Sequence, residues 1–313
     1  MTAPAIAVVG ATAAGKSDLA IELALALGGE VVNADSMQLY RGMDIGTAKL
    51  TPAGQRGVPH HLLSVWDVRY PANVAEYQAM AQAVLPEVAA RGRVPVLAGG
   101  SGLYVRAALG DLDFPGTDPA VRQRLEDELA EVGPARLHAR LAAADPDAAA
   151  AILPSNGRRI VRALEVIEVS GRPFAAAMPE YEQKFPAVQL GLAVSRPELD
   201  QRIAARTGRM WQAGFVAEVR ELERAGLREG RTASRALGYA QVLRFLAGQC
   251  SEEEAREQTI LATRRFARRQ EAWFRRDPRI IWLDAAAADL AGQALDTIKT
   301  CGSRRGTAPR TTS

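Results

Sequence analysis

The sequence contains few cysteines, few aromatic residues and no long apolar run, and each scarcity argues against a class of protein. Only two cysteines, Cys250 and Cys301, occur among 313 residues, far apart and without the spacing of metal ligands. Their number argues against a zinc site or a disulfide framework and fits a reducing cytoplasm. No run approaches the roughly 18 apolar residues of a membrane span, and no signal peptide precedes the first apolar segment. We therefore expect a cytoplasmic protein with no membrane partner.

The composition is that of a globular protein with a slight excess of positive charge. Hydrophobic residues make up 48% of the chain and charged residues 24%, and the formal net charge is +3. A chain of this size and composition can bury a core in one large domain or two smaller ones. So small a charge excess is weak evidence for a nucleic-acid partner, and the clustering of arginines is better evidence.

A phosphate-binding pattern lies close to the N-terminus. Residues 10–17 read GATAAGKS and fit the P-loop pattern G-x-x-x-x-G-K-[ST], with an apolar strand pattern before them and a helical pattern after them. Backbone N–H groups of such a loop converge on phosphate oxygens, and the following helix N-terminus adds positive potential. We expect Lys16 to neutralise phosphate charge and the Ser17 hydroxyl to bind Mg²⁺. The alternative is a glycine turn without a ligand, and the loop alone does not identify ATP as the phosphate.

Short apolar runs alternate with longer helical patterns along most of the chain, which predicts a parallel sheet with helices on both faces. Helical patterns occur at residues 18–27 and 74–90, where Pro86 predicts a kink or an end. The ligand is then expected at the carboxyl ends of the strands. The predicted strands are residues 5–9, 30–34, 62–66, 94–98, 188–194 and 280–283.

The segment from residue 114 to 187 departs from this alternation. It contains helix signals only, beginning with Thr117-Asp118-Pro119 as a helix start. We therefore predict an α/β fold with a P-loop NTPase-like core, formed by residues 1–113 and 188–300, and an all-helical insertion at 114–187. The last stretch, residues 301–313, is polar and unpatterned, which predicts a disordered tail.

Two further loops follow predicted strands of the sheet. Asp35 and Ser36 end the strand of VVNADSMQLYRGMDIGTAK, residues 31–49, and VPVLAGGSGLY, residues 94–104, supplies Ser101 and Tyr104. Because the carboxyl ends of parallel strands share one edge, these side chains are expected beside the P-loop. The alternatives are a turn cap for Asp35 and a tight turn for the glycines.

The acid that an ordinary ATPase places at a strand end to hold Mg²⁺ is missing from the expected position. The strand pattern at residues 94–98 ends in Gly99-Gly100, and Asp67 is the nearest substitute. The residues therefore fit phosphoryl transfer to a hydroxyl, and they fit equally a reaction in which a diphosphate is held beside one carboxylate base.

Six segments, in order and spacing, resemble the tRNA dimethylallyltransferases, also called tRNA isopentenyltransferases. They are GATAAGKS, NADSMQLYRGMDIGTAK, GVPHHLL, AGGSGLY, NGRRIVRALEV and RRFARRQEAWFRR. Their order and spacing match the family over residues 5–284, nearly the whole chain. DSMQLYRGMDIGTAK is the most specific of them. The resemblance implies a P-loop core with a helical insertion that grips the tRNA anticodon stem-loop. It also implies transfer of a dimethylallyl group from dimethylallyl diphosphate to the exocyclic N6 amine of the adenine 3′-adjacent to the anticodon.

The resemblance assigns roles residue by residue. Asp35 matches the general base, while Lys16 and a Mg²⁺ ion on Ser17 stabilise the departing diphosphate. Ser101 stands where threonine is usual and keeps the hydroxyl near the adenine, and Ala11 replaces a common proline. The residues implied to hold the donor diphosphate are Gly10, Ala11, Thr12, Ala13, Ala14, Gly15, Lys16, Ser17 and Arg206.

The tRNA partner would be held mostly by arginines, with its adenine extruded from the loop. Arginines beside aromatic residues in TRRFARRQEAWFRR, residues 263–276, suit phosphate contact and base stacking. For a single arginine or aromatic, a solvated helix face or a core position is the alternative. The residues implied to contact tRNA are Asp35, Ser36, Met37, Gln38, Ser101, Arg122, Arg158, Arg159, Arg162, Arg235, Gly238, Tyr239, Arg268, Arg269, Gln270 and Trp273.

Three other functions use the same residues. An ATP-dependent small-molecule kinase would use the P-loop and Asp35, but it has no reason to carry DSMQLYRGMDIGTAK. An adenylate isopentenyltransferase, acting on free AMP, ADP or ATP, has no use for the helical insertion and the arginine-rich segment. An RNA-binding regulatory protein would not need an intact Lys16–Ser17 pair beside Asp35. Nothing in the sequence demands more than a monomer.

Overall fold

The computed structural model describes residues 4–110, 112, 114, 116–174 and 184–305. The chain divides into two compact units. One comprises residues 1–109 and 185–313 and is called the core unit here; the other comprises residues 110–184 and is called the helical unit. The helical unit therefore interrupts the core unit in the chain, over nearly the stretch at which the insertion is predicted.

The core unit contains a parallel six-stranded sheet, which confirms the predicted fold class. The strand order is β3-β2-β4-β1-β5-β6, so that β1 lies inside the sheet between β4 and β5. Val8 of β1 pairs with Ala98 on one side and with Leu190 on the other. The strands are β1 (Ala5–Gly10), β2 (Gly29–Asn33), β3 (His60–His61), β4 (Val94–Gly99), β5 (Ala187–Ala193) and β6 (Ile280–Asp284).

One predicted strand is wrong. Residues 62–66 were expected to be a strand, but the sheet takes up only His60 and His61, and Trp66 makes an isolated bridge to Tyr40. The backbone explains the difference, because Leu62 and Ser64 have φ angles of 59° and 54°. Such left-handed positions interrupt an extended chain, although the apolar pattern of the segment resembles a strand.

Eleven α-helices complete the described residues, with two 3-10 helices at Leu227–Glu229 and Ala233–Arg235. Helix α2 continues through Pro86 to its last residue, and Asn73 caps its start by accepting a hydrogen bond from Glu76 N. The α-helices are α1 (Lys16–Leu27), α2 (Val74–Ala90), α3 (Gly102–Leu109), α4 (Pro119–Ala144), α5 (Pro146–Ala151), α6 (Gly157–Ser170), α7 (Arg196–Gln212), α8 (Phe215–Arg224), α9 (Tyr239–Leu246), α10 (Glu252–Phe274) and α11 (Leu290–Arg305).

Helices cover both faces of the sheet in the core unit. Ile6 and Val8 pack with Leu19 and Leu23 of α1 and with Ala294 of α11. The alternate residues of β1 point to the opposite face and are equally buried, where α10 contacts β1 and α2 contacts β2 and β4. Burial on both faces is the reason that the strands read as continuous apolar runs.

The C-terminal part of the core unit differs from the prediction. Residues 301–313 were expected to be a disordered tail, but α11 continues to Arg305. The helix begins at Leu290, and its partly buried side chains Leu295, Ile298 and Cys301 pack against the sheet core. Because these apolar side chains pack against the sheet, the helix extends into the polar stretch that begins at residue 301. Residues 306–313 lie outside the described part of the chain.

The helical unit consists of α4, α5 and α6 around its own core. Asp118 caps α4 by accepting hydrogen bonds from Ala120 N and Val121 N, at 2.8 and 3.1 Å, which confirms the predicted helix start. Helix α4 bends at Gly133, where φ is 78° and a proline follows. The residues that form this core include Leu125, Leu137, Leu141, Ile160 and Leu164.

Candidate active site

The P-loop joins the carboxyl end of β1 to the N-terminus of α1. Its turns use left-handed backbone angles, with φ of 64° at Ala13 and 97° at Gly15. Gly10, with φ of 140°, lies so close to β5 that a Cβ atom would be 3.1 Å from Leu192 O. Lys16 Nζ donates a hydrogen bond to Ala11 O at 2.7 Å, and Ser17 is exposed at the start of the helix. The predicted strand–loop–helix geometry is therefore present.

Two cations and one carboxylate influence each other beside this loop. Burial lowers the pKa of Lys16 to about 8; the charge of Asp35 opposes that shift, and the charge of Arg206 adds to it. Burial also lowers the pKa of Arg206, again against the attraction of Asp35. Three charged groups from three different segments therefore lie close enough for their charges to interact.

Arg206 of α7 connects the P-loop with the second loop. Its two terminal nitrogens donate to Thr12 Oγ1 and to Thr47 O, both at 3.1 Å. Its buried Nε has no hydrogen-bond partner in the described part of the chain. Arg202, its neighbour by one helical turn, pairs instead with Glu198. Arg206 is thus the arginine of this helix that reaches the P-loop, and one of its donors remains for a ligand.

The second loop holds Asp35 in a hydrogen-bonded turn. Asp35 Oδ1 accepts a hydrogen bond from Met37 N at 2.9 Å, and Asp35 N donates to Asn33 Oδ1 at 2.9 Å. The Asn33 amide donates in turn to Leu62 O, and Tyr77 OH donates to Asn33 O. The turn alternative and the catalytic prediction for Asp35 are therefore compatible, because the turn occupies only one carboxylate oxygen.

The glycine-rich third loop packs directly against the second. A Cβ atom on Gly99 would lie 2.2 Å from Ala34 O, so only glycine permits this approach. Ser101 Oγ accepts a hydrogen bond from Ser36 N at 3.3 Å and lies 3.4 Å from Ser36 Oγ. The close contact places the Ser101 hydroxyl on the same side as Asp35.

These loops and helices α7 to α10 surround a pocket of about 340 Å³. Eleven predicted site residues line it: Thr12, Ala13, Asp35, Ser36, Met37, Ser101, Arg206, Arg235, Gly238, Tyr239 and Arg269. Sequence reasoning missed other lining residues, among them Thr47, Ile203, Thr207, Met210, Phe215, Thr259, Thr263 and Phe266. The missed residues of α7 and of α10 each follow a helical i, i+4, i+7 spacing. That spacing is the signal which could have found them.

Two residues predicted to contact tRNA make internal hydrogen bonds instead. Gln270 is only 6% exposed, and its side-chain amide binds Thr12 N and Gly100 O. Tyr239 is fully buried, and its hydroxyl donates to Glu218 at 2.6 Å. Burial leaves little of the Gln270 side chain for RNA, whereas Tyr239 still lines the pocket.

Glu218 holds the segment that follows the second loop. Its carboxylate accepts hydrogen bonds from the successive backbone N–H groups of Asp44, Ile45 and Gly46, at 3.1, 2.6 and 3.2 Å. A Cβ atom on Gly46 would lie 2.2 Å from the Phe215 ring. The MDIGTAK part of the most specific sequence motif is therefore shaped by contacts from α8, which sequence reasoning did not assign to the site.

The predicted RNA-binding arginines of the helical unit fall into two kinds. Arg122 and Arg162 both pair with Glu165, which is fully buried. The two arginines, together with hydrogen bonds to Glu165, lower the pKa of this carboxyl against the effect of burial. Their charge is therefore partly neutralised within the unit, whereas Arg158 and Arg159 at the start of α6 are exposed.

The arginine-rich helix α10 presents a different surface. Arg268 and Arg269 are exposed, and the Arg269 guanidinium lies 5.8 Å from the centre of the Phe266 ring. Trp273 is 36% exposed, whereas Phe274 is buried in the core, as the alternative for single aromatics anticipated. Arg235 is exposed at the pocket, and Gln38 Nε2 donates to Thr47 O.

Asp67, His60 and His61 are each engaged with neighbouring groups of the protein. Asp67, the substitute magnesium ligand, binds the backbone and side chain of Arg69. His61 pairs with Glu30, and His60 Nδ1 lies 2.8 Å from Val58 O. Among the described residues, no group of three or more histidine, cysteine or acidic side chains is placed to hold a metal ion. In the same part of the chain, no helix has both the length and the apolar character of a membrane span.

Comparison with known proteins identifies the family. Residues 38–277 match the IPP transferase family, and residues 4–64 match the isopentenyl transferase family. A tRNA dimethylallyltransferase of Thermobifida fusca is 69% identical over 294 residues, which cover 92% of each chain. The chain belongs to the tRNA dimethylallyltransferase family.

Solved structures of similar proteins agree with this assignment. The full-length tRNA isopentenylpyrophosphate transferase of Bacillus halodurans superimposes with a TM-score of 0.70 at 36% identity, and the match covers 97% of this chain and 99% of that one. A eukaryotic dimethylallyltransferase acting on tRNA gives a TM-score of 0.81 over 100% of this chain and 82% of its own, at 24% identity, which shows a shared fold. The tRNA dimethylallyltransferase family thus accounts for both the motifs and the fold.

Proposed function

We propose that the protein transfers a dimethylallyl group from dimethylallyl diphosphate to the exocyclic N6 amine of the adenine 3′-adjacent to the anticodon of tRNA. The reaction takes place in the pocket beside the P-loop. The single observation that carries the assignment of the site is that Asp35 and Arg206 line one pocket beside the P-loop, where the charge of Lys16 interacts with both. Two cations beside a P-loop suit a diphosphate, and one carboxylate suits a base. The chain is a prenyltransferase that modifies tRNA.

In this proposal the donor diphosphate lies in the P-loop. Its oxygens accept hydrogen bonds from loop N–H groups, from Lys16 and from the partnerless Nε of Arg206. The exposed Ser17 hydroxyl at the helix start fits a Mg²⁺ ion that takes its other ligands from the diphosphate and water, since Mg²⁺ is usually bound by few protein groups. Such an ion would neutralise charge on the leaving group.

The dimethylallyl chain has apolar neighbours in the same pocket. Ile203, Met210 and Phe215 line it together with Phe266. A volume of about 340 Å³ accommodates a five-carbon group and leaves room for a base that enters. The pocket lining therefore combines the charged side chains of Asp35 and Arg206 with apolar side chains from α7, α8 and α10.

The reaction is a substitution at the allylic carbon. The adenine N6 lone pair forms the new N–C bond, the C–O bond to the donor breaks, and its electron pair leaves with the diphosphate. Asp35 accepts the proton that the amine loses, with its carboxylate aligned by Met37 N. An aromatic amine is a weak nucleophile, so positioning and stabilisation of the departing charge supply much of the rate.

The tRNA partner is the anticodon stem-loop, with the adenine extruded into the pocket. Arg268, Arg269 and Trp273 of the core unit, and Arg158 and Arg159 of the helical unit, offer exposed charge and one aromatic face for it. We propose further that the enzyme acts as a cytoplasmic monomer. Arg122 and Arg162 contribute less, because a buried carboxylate already holds them.

The first experiment mixes purified protein with unmodified tRNA, labelled dimethylallyl diphosphate and Mg²⁺, with AMP and ATP as parallel acceptors. Label is expected in tRNA alone, and mapping of the product should place it on the adenine beside the anticodon. Label in AMP would assign the chain to free-nucleotide prenylation. Consumption of ATP without transfer of label would support the kinase alternative and overturn the proposal.

A further inference from the structure

One side chain of α10 is hydrogen-bonded to two of the three loops that form the pocket. Gln270 Oε1 accepts a hydrogen bond from Thr12 N of the P-loop at 2.8 Å, and Gln270 Nε2 donates to Gly100 O of the third loop at 2.8 Å. These partners lie 258 and 170 residues away in the chain. The amide therefore joins segments that nothing in the local sequence would bring together.

The third loop is built to let α10 approach. A Cβ atom on Gly100 would lie 2.3 Å from Gln270 Nε2, and one on Gly102 would lie 2.1 Å from the Trp273 ring. Gln270 and Trp273 are three residues apart and share a face of the helix. Gly100 thus packs against Gln270, and Gly102 packs against Trp273. The third loop and α10 therefore fit closely together.

Both atoms bound by Gln270 lead directly to site residues. Thr12 carries the hydroxyl that accepts a hydrogen bond from Arg206, and Gly100 precedes Ser101. We propose that Gln270 is a positioning residue that sets the donor-diphosphate loop relative to the Ser101 loop. The inference rests on the proposed function, in which the P-loop holds the diphosphate and the third loop, which carries Ser101, faces the adenine.

The contact requires one acceptor and one donor on the same planar group. Glutamine supplies both, whereas methionine has a similar shape, no donor and only a weakly accepting sulfur. Ionised glutamate keeps the acceptor for Thr12 N but turns a second acceptor toward Gly100 O, and it adds negative charge near the diphosphate. Protonated glutamate restores one acceptor and one donor. The pair Gln270→Met and Gln270→Glu therefore separates shape, hydrogen bonding and charge.

The test measures steady-state transfer, donor KM, kcat and tRNA binding for the wild type, Gln270→Met and Gln270→Glu, with thermal unfolding as a folding check. Gln258→Met is the matched control, since Gln258 lies on the same helix and contacts Arg244. We expect Gln270→Met to lower kcat/KM for the donor on the order of tenfold or more, the equivalent of one lost net hydrogen bond or two. The Kd for tRNA should stay within about twofold of the wild-type value.

The pH profile gives a readout that a merely structural role would not change. The loss of donor kcat/KM in Gln270→Glu, expressed as a ratio to the wild-type value at each pH, should become smaller as the pH falls from 8 to 5.5. The deficit of Gln270→Met should stay constant, and an unstable Gln270→Met leaves the glutamate profile as the deciding measurement.

Two results would overturn the inference. One is wild-type donor kinetics in both Gln270 variants, and the other is loss of tRNA affinity with an unchanged donor KM, which would make Gln270 an RNA contact. Failure of the wild-type enzyme to label tRNA at all is a different outcome, because it would count against the proposed function itself.

Discussion

At the scale of single residues, Asp35 shows how one side chain takes a structural and a chemical role together. One carboxylate oxygen caps a turn through Met37 N, and the residue also lines the pocket. A carboxylate has about four lone-pair sites, so the cap leaves capacity for a proton. The turn also restricts the rotation of the side chain, which favours a base that must meet one amine.

Replacing Asp35 with asparagine should abolish most transfer while tRNA still binds. Asparagine keeps an oxygen for Met37 N but accepts no proton, and general-base contributions are typically about 10²- to 10⁴-fold. Single-turnover transfer with saturating donor measures the loss. Asp67→Asn is the control, since Asp67 contacts Arg69 instead. Near-normal turnover of Asp35→Asn would refute the general-base assignment.

Donor binding should weaken as the pH rises through the pKa of Lys16. Burial lowers this pKa to about 8, so Lys16 is mostly charged at pH 7 and mostly neutral at pH 9. A bound diphosphate favours the charged form, so the donor Kd should be flat below pH 7 and should rise by up to about tenfold per unit above pH 8.

Equilibrium binding of a non-reactive donor analogue between pH 6.5 and 9.5 checks this dependence. Lys16→Arg provides the comparison, because a guanidinium keeps its charge throughout this range. Its profile should be flat even if its affinity is lower. A flat wild-type profile would mean that Lys16 does not supply charge to the diphosphate.

At the scale of elements, helix α8 holds a loop through one carboxylate. Glu218 accepts hydrogen bonds from three successive N–H groups and from Tyr239 OH. The next residue of that loop, Thr47, offers its carbonyl to Arg206. The element that organises MDIGTAK is thus remote in sequence, and it acts on the P-loop through an arginine.

Glu218→Ala should impair donor use and stability together. Three backbone donors and one hydroxyl lose their acceptor, and an unsatisfied buried polar group costs about 1–3 kcal/mol. We expect a donor KM higher by about tenfold and a lower free energy of unfolding in urea. Glu221→Ala, on the same helix with an exposed pair to Arg224, should change neither. An unchanged donor KM in Glu218→Ala would separate this loop from the diphosphate site.

At the scale of the whole molecule, each of the two units offers exposed arginines. Arg268 and Arg269 lie on α10 of the core unit, and Arg158 and Arg159 lie on α6 of the helical unit. A net charge of only +3 over 313 residues makes this local clustering more informative than the total. Each unit has its own hydrophobic core, so either arginine pair can be changed without disturbing the other unit.

Removing either arginine pair should weaken tRNA binding and reduce its salt dependence. Each lost phosphate contact lowers the slope of log K against log salt by about 0.7 to 0.9. Arg268→Ala/Arg269→Ala and Arg158→Ala/Arg159→Ala are each expected to reduce it by roughly 1 to 2. Filter binding measures this slope between 50 and 300 mM salt, roughly the range in which such slopes are resolved. Arg224→Ala is the control, because Arg224 lies on α8 and pairs with Glu221. It should leave the slope unchanged, and an equal change there would remove the specificity of the prediction.

Some differences between prediction and structure arise because an apolar pattern does not encode backbone angles. Residues 62–66 read as a strand, yet left-handed angles at Leu62 and Ser64 interrupt it. Burial is likewise decided by neighbours distant in the chain. Gln270 and Tyr239 lie in segments that read as RNA-binding, but α10 and α9 turn these two side chains inward.

The amino-acid sequence by itself determined the family, the parallel sheet and the position of the phosphate loop. These depend on local signals: glycine spacing, the lysine–serine pair, apolar runs buried on both faces, and motifs whose order is read along the chain. Only the tertiary structure decided which polar groups meet around the pocket and which meet inside the helical unit. The contacts of Gln270 with Thr12, of Glu218 with residues 44–46, and of Arg122 with Glu165 join residues 43 to 258 positions apart. Such contacts form only when the packing of the helices brings remote side chains within hydrogen-bond distance.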